Sequence, residues 1–211
     1  MNNNWLSKLN RKFGRYAIHN LMLYIIIVQA VMFVAAAVLG VNFTDYLYFY
    51  LPAIMSGQVW RLITFIFVPP GFSIFAILTM YFSWLIGSAL ENEWGAFKFN
   101  VFYLTGVIGT ILGGLITQTT TNAYLNLSLF LAFAIIYPEF EILLFFILPI
   151  KVKFLAFIYA AVLVISLIVS DWAVKVAIVV SLLNLILYFG PQMLDRIRAW
   201  RRRAQWKRSF R

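Results

Sequence analysis

The residues that could do chemistry in this 211-residue chain are few, and their spacing is informative. Ser128 is the only serine in the apolar stretch from Ala123 to Tyr137. A serine hydroxyl is a poor nucleophile until a neighbouring base takes its proton. The only histidine is His19, beside the basic N-terminal segment. Lys175 is the only lysine within the apolar run from Trp172 to Phe189, and Asp171 precedes it by four residues. That spacing reads as an intrahelical ion pair rather than half of a Ser128–Lys175 dyad. The chain has no cysteine, which excludes disulfides, thiolate metal sites and a cysteine nucleophile. No cluster of His, Asp and Glu falls within the apolar runs, so no metal site is expected, and no cofactor motif is present.

The elements that must position these residues follow from composition. Hydrophobic residues make up 64% of the chain and charged residues 11%, the balance of a polytopic membrane protein. A bilayer core takes about 20 apolar residues as a helix. The runs predict six spans: Ile18 to Val38, Phe72 to Leu90, Phe99 to Ile116, Ala123 to Tyr137, Phe154 to Val169 and Trp172 to Phe189. Pro69-Pro70 blocks an earlier start of the second, and Ser73 is placed to cap it. The fourth is short because Pro138-Glu139 stops it. Extending it would bury Glu139 and Glu141, so Ile142 to Pro149 is expected at the interface. The first run is expected to be retained as a span, because a long basic segment precedes it.

Charge tests the count. With both termini on one side, all Lys and Arg residues except Arg61 and Lys175 face that side. The positive-inside rule makes that side cytoplasmic. The net charge of +10 is then mostly topological, suited to an anionic inner leaflet and not to nucleic acid. Two flanking segments read as interfacial. Trp5, Leu9, Phe13 and Tyr16 recur at helical spacing among Lys8, Lys12 and Arg15; after Leu194, Ile197, Trp200 and Trp206 interleave with cations.

The stretch from Gly57 to Gly114 carries a resemblance. It contains Trp60-Arg61 ahead of the second span, Pro69-Pro70-Gly71, then Gly87-Ser88-Ala89-Leu90-Glu91 closing that span, Gly95 four residues after the glutamate, and Tyr103-Leu104 with Gly106. This pattern resembles the rhomboid superfamily, which holds intramembrane serine proteases and inactive relatives such as the derlins. Trp60-Arg61-Leu62-Ile63-Thr64 with Pro70-Gly71-Phe72-Ser73 is similar to the derlins as well. The resemblance implies an all-α, six-transmembrane-helix bundle with a compact loop half sunk in the outer leaflet. Trp60 and Arg61 would hold that loop, Arg61 by hydrogen bonds to loop carbonyls or lipid phosphate. Glu91 and Gly95 would form the turn after the second span, the carboxylate satisfying free backbone amides.

A rhomboid protease needs a Gly-x-Ser-Gly serine on its fourth span and a histidine on its sixth. Gly-x-Ser-Gly occurs nowhere here, and bulky leucines flank Ser128. The sixth span offers Ser181 and Asn184 but no histidine. His19 would lie on the wrong half of the membrane. The family's oxyanion residues, counted back from Gly87, correspond to Thr79 and Phe75, and Phe75 has no donor. The degenerate active-site region is therefore Phe75, Thr79, Ser128, Ser181 and Asn184. With Asn122 and Asn126, the last three are expected to form a polar seam between the fourth and sixth spans. Gly106, Gly109 and Gly113 give the third span a small-residue face for close packing.

The expectation is an N-terminal basic amphipathic segment over 1–17, a membrane domain over 18–190 and a basic tail over 191–211. The chain would be a non-proteolytic protein of a bacterial plasma membrane, both termini cytoplasmic, binding transmembrane segments of client proteins. The enzyme-class alternative is an active rhomboid-type serine protease with a displaced dyad. A small-molecule transporter is the third class; it would need internal repeats or broken midplane helices.

Overall fold

The computed structural model describes residues 4–40, 43–144 and 148–189. Helix α1 (Asn4–Phe13) and a 3₁₀ turn (Gly14–Tyr16) lead into α2 (Leu21–Leu39). Three short helices follow, α3 (Thr44–Leu47), α4 (Leu51–Met55) and α5 (Arg61–Thr64), with strand β1 (Phe49–Tyr50) between the first two and a second 3₁₀ turn (Phe65–Phe67) behind the last. Helices α6 (Ile74–Trp94) and α7 (Ala96–Thr117) come next, then β2 (Thr119–Thr120) and α8 (Ala123–Ile136). A hairpin of β3 (Glu141–Leu144) and β4 (Leu148–Lys151) leads to α9 (Val152–Val169) and α10 (Trp172–Phe189).

Five helices, α2, α6, α7, α9 and α10, are long and apolar enough to cross a membrane. Helix α8 has 14 residues, a rise of about 21 Å against a hydrocarbon core of about 30 Å. It is also among the most enclosed: Leu125, Leu127, Ser128, Leu129, Ala132, Phe133 and Ala134 are all buried. Its end at Ile136 fits Pro138, whose ring disfavours a helical residue before it. The expected tail over 191–211 and the side chain of Trp5 lie outside what is described. Helix α1 leaves Leu9 and Phe13 exposed, and Tyr16 beyond it is exposed too. This is the pattern of a helix with an apolar face turned to an interface.

Cross-contacts sort the connections into two ends. At one end Asn20 meets Glu91, the Tyr137 hydroxyl donates to Glu93, and Trp94 stacks on Tyr188. At the other, β1 pairs antiparallel with β2, Phe49 facing Thr120. The core between them holds Met22, Phe49, Phe65, Leu90, Phe99, Phe102, Leu125 and Phe133.

Close approach depends on glycine at specific points. A Cβ at Gly87 would lie 2.5 Å from Met22 Cγ and 2.7 Å from its Cβ, so α2 packs directly on the α6 backbone. A Cβ at Gly114 would lie 2.7 Å from the Phe49 ring. Gly95, at φ 82°, joins α6 to α7 as the only residue between them.

Three expectations need correction. The third span begins at Ala96 rather than Phe99, because one glycine completes the turn. Ser73 occupies the cap position of α6, but its hydroxyl makes no capping bond; its carbonyl takes the Ala76 amide instead. Asp171 and Lys175 form no ion pair. Asp171 precedes the helix and offers its backbone carbonyl to the Lys175 amide. Among the described residues the ion pairs are those of Glu139 with Lys151 (2.8 Å) and Lys153 (2.6 Å), across the base of the hairpin.

Gly87→Leu is expected to destabilise the protein by about 1–3 kcal/mol through overpacking. Thermal unfolding in mild detergent should show Met22→Ala relieving part of that loss in the double variant. The hydrogen bonds from Lys151 and Lys153 hold the Glu139 carboxyl down at about 2. A depressed carboxylate contributes its stability fully above its unfolded value and loses it as pH falls through the folded value. The small difference in unfolding temperature between wild type and Glu139→Gln should therefore be constant above about pH 5 and close as pH approaches ~2.

Candidate functional site

The segment between α2 and α6 is built on unpaired carbonyls. Helix α3 is four residues long, so its last carbonyls have no intrahelical donor. One face of the 60–64 turn supplies three. Trp60 Nε1 donates to the Tyr46 carbonyl (3.3 Å), Thr64 Oγ1 to that of Leu47 (2.9 Å) and Arg61 Nη1 to that of Tyr48 (3.1 Å). Arg61 Nε also donates to Gln58 Oε1 at 2.7 Å, and the guanidinium lies 5.4 Å from the Tyr48 ring centroid. Only 5% of Arg61 is exposed, so its charge is spent on the loop, with a cation at a helix C-terminus where the dipole favours it.

A second set of carbonyls lies deeper. The 3₁₀ turn ends against Pro69-Pro70, and Phe65, Ile66, Val68 and Pro69 are buried. In a helix the Ile66 carbonyl would accept from residue 69 or 70, and neither proline has an N–H. Gln29 of α2 supplies one donor, Nε2 to Ile66 O at 2.9 Å. Asn122, at the start of α8, supplies the others, Nδ2 to Ile66 O (3.1 Å) and to Val68 O (2.8 Å). Two helices are thus tied to one irregular segment. Asn122 was expected in a seam with the sixth span and belongs here instead. Gln29 was not singled out in the sequence, although an amide in the middle of a 19-residue apolar helix must find a partner.

At the opposite end Glu91 is 8% exposed, and its Oε1 accepts the Asn20 amide at 2.6 Å. The carboxylate therefore serves the start of α2, not the amides of its own turn. A negative charge there suits the helix N-terminus. Asn20 adopts φ 55°, a conformation asparagine tolerates better than most side chains.

The residues expected to mark a degenerate active site are not brought together. Phe75 and Thr79 are exposed on α6, and the Thr79 hydroxyl donates to the Phe75 carbonyl (2.9 Å). Ser128 is 1% exposed and donates to the Leu125 carbonyl at 2.8 Å. Ser181 donates to Ile178 at 2.9 Å. Asn184 reaches α7: its Oδ1 accepts from Thr105 Oγ1 (2.9 Å), and its Nδ2 donates to the Phe102 carbonyl (3.4 Å). Asn126 is half-buried; its amide donates to the Asn122 carbonyl, and its side chain has no hydrogen-bond partner among the described residues. The polar seam between α8 and α10 is therefore not formed by side-chain pairing: each hydroxyl turns back on its own helix. Lys175 is half-buried near the far end of α10, and His19 is exposed at the end that holds the α6–α7 turn.

The glycines of α7 do meet other helices. A Cβ at Gly106 would lie 2.6 Å from Leu125 and 2.9 Å from Asn184 Nδ2, and one at Gly109 would lie 3.0 Å from Val180. Gly113 faces Val180 and Val176 at ordinary contact distances. This face packs within the chain, joining α7 to α8 and α10.

These features define an all-α membrane protein with several spanning helices. No protein-family model, curated protein or solved structure matches this chain.

Gln29→Leu and Asn122→Leu are each expected to cost about 0.6–1.7 kcal/mol, the range for polar bonds between membrane helices. Each leaves Ile66 one donor. The double variant leaves it none, and its loss in thermal unfolding should exceed the sum of the singles.

Proposed function

We propose that this chain is a six-span, rhomboid-like protein without peptidase activity that binds apolar transmembrane segments of other membrane proteins laterally. The observation that carries the non-proteolytic part is Ser128. It is the one serine of α8, it is enclosed, and its hydroxyl is committed to the Leu125 carbonyl rather than to a base. Sequence motifs support the rhomboid-like part: Trp60-Arg61 and Glu91 both sit in bonded, enclosed or loop-anchoring positions. In this reading α8 is the short fourth span set inside the bundle.

Helix α9 favours lateral binding. Only 11% of its apolar window is buried within the chain, and Phe157, Ile158, Ile165 and Ile168 project outward. A client helix would replace lipid along this face by side-chain packing. The bundle would sit in a bacterial plasma membrane with both termini cytoplasmic, as the distribution of Lys and Arg favours. The segment 1–17 and the tail 191–211 would flank the membrane domain.

Liposomes holding the protein and a single-span apolar substrate should show no cleavage while an active rhomboid protease cuts alongside. Cleavage abolished by Ser128→Ala would overturn the proposal. A photo-crosslinker at Phe157 should capture the substrate span well above one at Leu112 on α7; equal capture at both positions would remove the lateral-binding part.

A further inference from the structure

Three amide side chains within the bundle are committed to backbone. Gln29 and Asn122 meet the carbonyls of residues 66 and 68, and Asn184 meets that of Phe102 on α7. Asn126 of α8 differs. Its side chain has no hydrogen-bond partner among the described residues, and it is only half-buried. Asn100 Oδ1 is bare as well, but Asn100 is enclosed. We propose that Asn126 receives a polar side chain from the middle of a client transmembrane helix, so that the chain selects apolar segments carrying one hydrogen-bonding residue at that depth. The inference rests on the lateral-binding reading and names which segments it takes.

Depth is the first observation. Asn126 lies ten residues before Ile136, where α8 ends, a rise of about 15 Å. Just beyond that end, Glu139 is paired with Lys151 and Lys153. Helix α9 gives the same depth independently. Leu127 and Leu163 pack in one cluster, and Leu163 lies ten residues, about 15 Å, beyond Lys153. Half of a hydrocarbon core is also about 15 Å. The next charged residue along the chain, Asp171, is eight residues past Leu163. An amide at that level in lipid finds a donor or an acceptor only where protein supplies one.

Access is the second. Asn126 and Phe130 are four residues apart and share a face of α8. The Phe130 ring meets that of Tyr159 on α9, with centroids 5.9 Å apart. Helices α8 and α9 run in opposite directions, so Asn126 lies one turn beyond this ring contact, at the level of Val162 and Leu163. Leu163 is buried, but Val162 is 50% exposed and Tyr159 43%. This side of α9 is therefore open beside the amide. The Tyr159 hydroxyl has no hydrogen-bond partner among the described residues either, which adds a second spare group to the same opening.

These two observations decide the occupant. Acyl chains carry no hydrogen-bonding group, and headgroups lie a half-bilayer away. Two copies of this chain would have to bring two half-buried amides together past their own helix faces. A single helix lying against α8 and α9 needs only to turn one polar side chain inward, and its apolar remainder replaces lipid by packing.

The test uses the full chain in phosphatidylcholine liposomes, with a photo-crosslinker at Val162. Two single-span leucine–alanine helices are compared, identical except for asparagine or leucine at the centre. The asparagine helix should be captured about three- to tenfold better, as one polar bond between membrane helices provides. Asn126→Leu should abolish that preference and leave capture of the leucine helix unchanged, while Asn126→Gln keeps part of it. Moving the asparagine seven residues along its helix, about 10 Å, should abolish it too.

Equal capture of the two helices by the wild type, or a preference that survives Asn126→Leu, would overturn the proposal and leave lateral binding standing. Capture of neither helix would overturn both. Self-association of the chain that is lost in Asn126→Leu, with no preference between the helices, would assign the amide to a second copy and overturn it as well. Stability gives a separate check. Asn126→Leu should leave the unfolding temperature unchanged, unlike Gln29→Leu and Asn122→Leu. A loss as large as theirs would mean that Asn126 is bonded within the chain, and the proposal fails.

Discussion

The structure depends on pairing the carbonyls of residues 66 and 68, where an irregular segment lies among membrane-spanning helices. Ile66 and Val68 are buried, and a bare carbonyl there is expensive. Pro69 and Pro70 remove the amides that a helix would have provided. Gln29 and Asn122 replace them from two different helices. The same bonds fix α2, the 3₁₀ turn and α8 relative to one another. With Phe49 wedged against Phe65 and against Gly114 of α7, the loop acts as a fourth side of the bundle rather than as a connection.

Charge is handled in the same way. Arg61 and Glu91 are both enclosed, yet they do not pair with each other, since they sit at opposite ends of α5–α6. Each is bonded to backbone: Arg61 to a carbonyl at the end of one helix, Glu91 to the amide at the start of another. In both cases the sign of the charge matches the end of the helix it meets. Two enclosed ions are thereby used at helix ends, with Glu91 Oε2 left without a partner among the described residues.

Much of this was legible in the sequence because hydropathy and proline dominate it. The end of α8 follows directly from Pro138, whereas the end of the last helix, expected at Gly190-Pro191, lies outside the described residues. For Arg61 the expectation was loop carbonyls or lipid phosphate, and the carbonyl of Tyr48 is what it meets. What was not legible depended on direction. Gln29 gave a signal, one amide in an apolar run, but nothing in the run says which carbonyl it meets. Asn122, Ser128, Ser181 and Asn184 are spaced as if to face one another. Hydroxyls in helices have a competing acceptor three or four residues back, and Ser128 and Ser181 take it. Asn184 reaches Thr105 and Phe102 of α7 instead. The hairpin at 141–151 was expected only as an interfacial stretch, since its apolar residues carry no turn signal strong enough to mark strands.

That competition also bears on Ser128. A membrane-embedded nucleophile needs a base close enough to outbid the helix's own carbonyls for its proton. Ser128 lacks one, so its hydroxyl defaults to Leu125. A histidine introduced on α10 alone would not reverse this. Gly106 meets Leu125 and Asn184 at distances that leave no room for an added carbon, and a histidine at residue 184 would lose the amide that now pairs with α7. The close packing that α7 achieves through its glycines and the spent hydroxyls of α8 and α10 are therefore one arrangement. In it, the polar groups of α8 and α10 are bonded within their own helices or to α7 across close helix contacts.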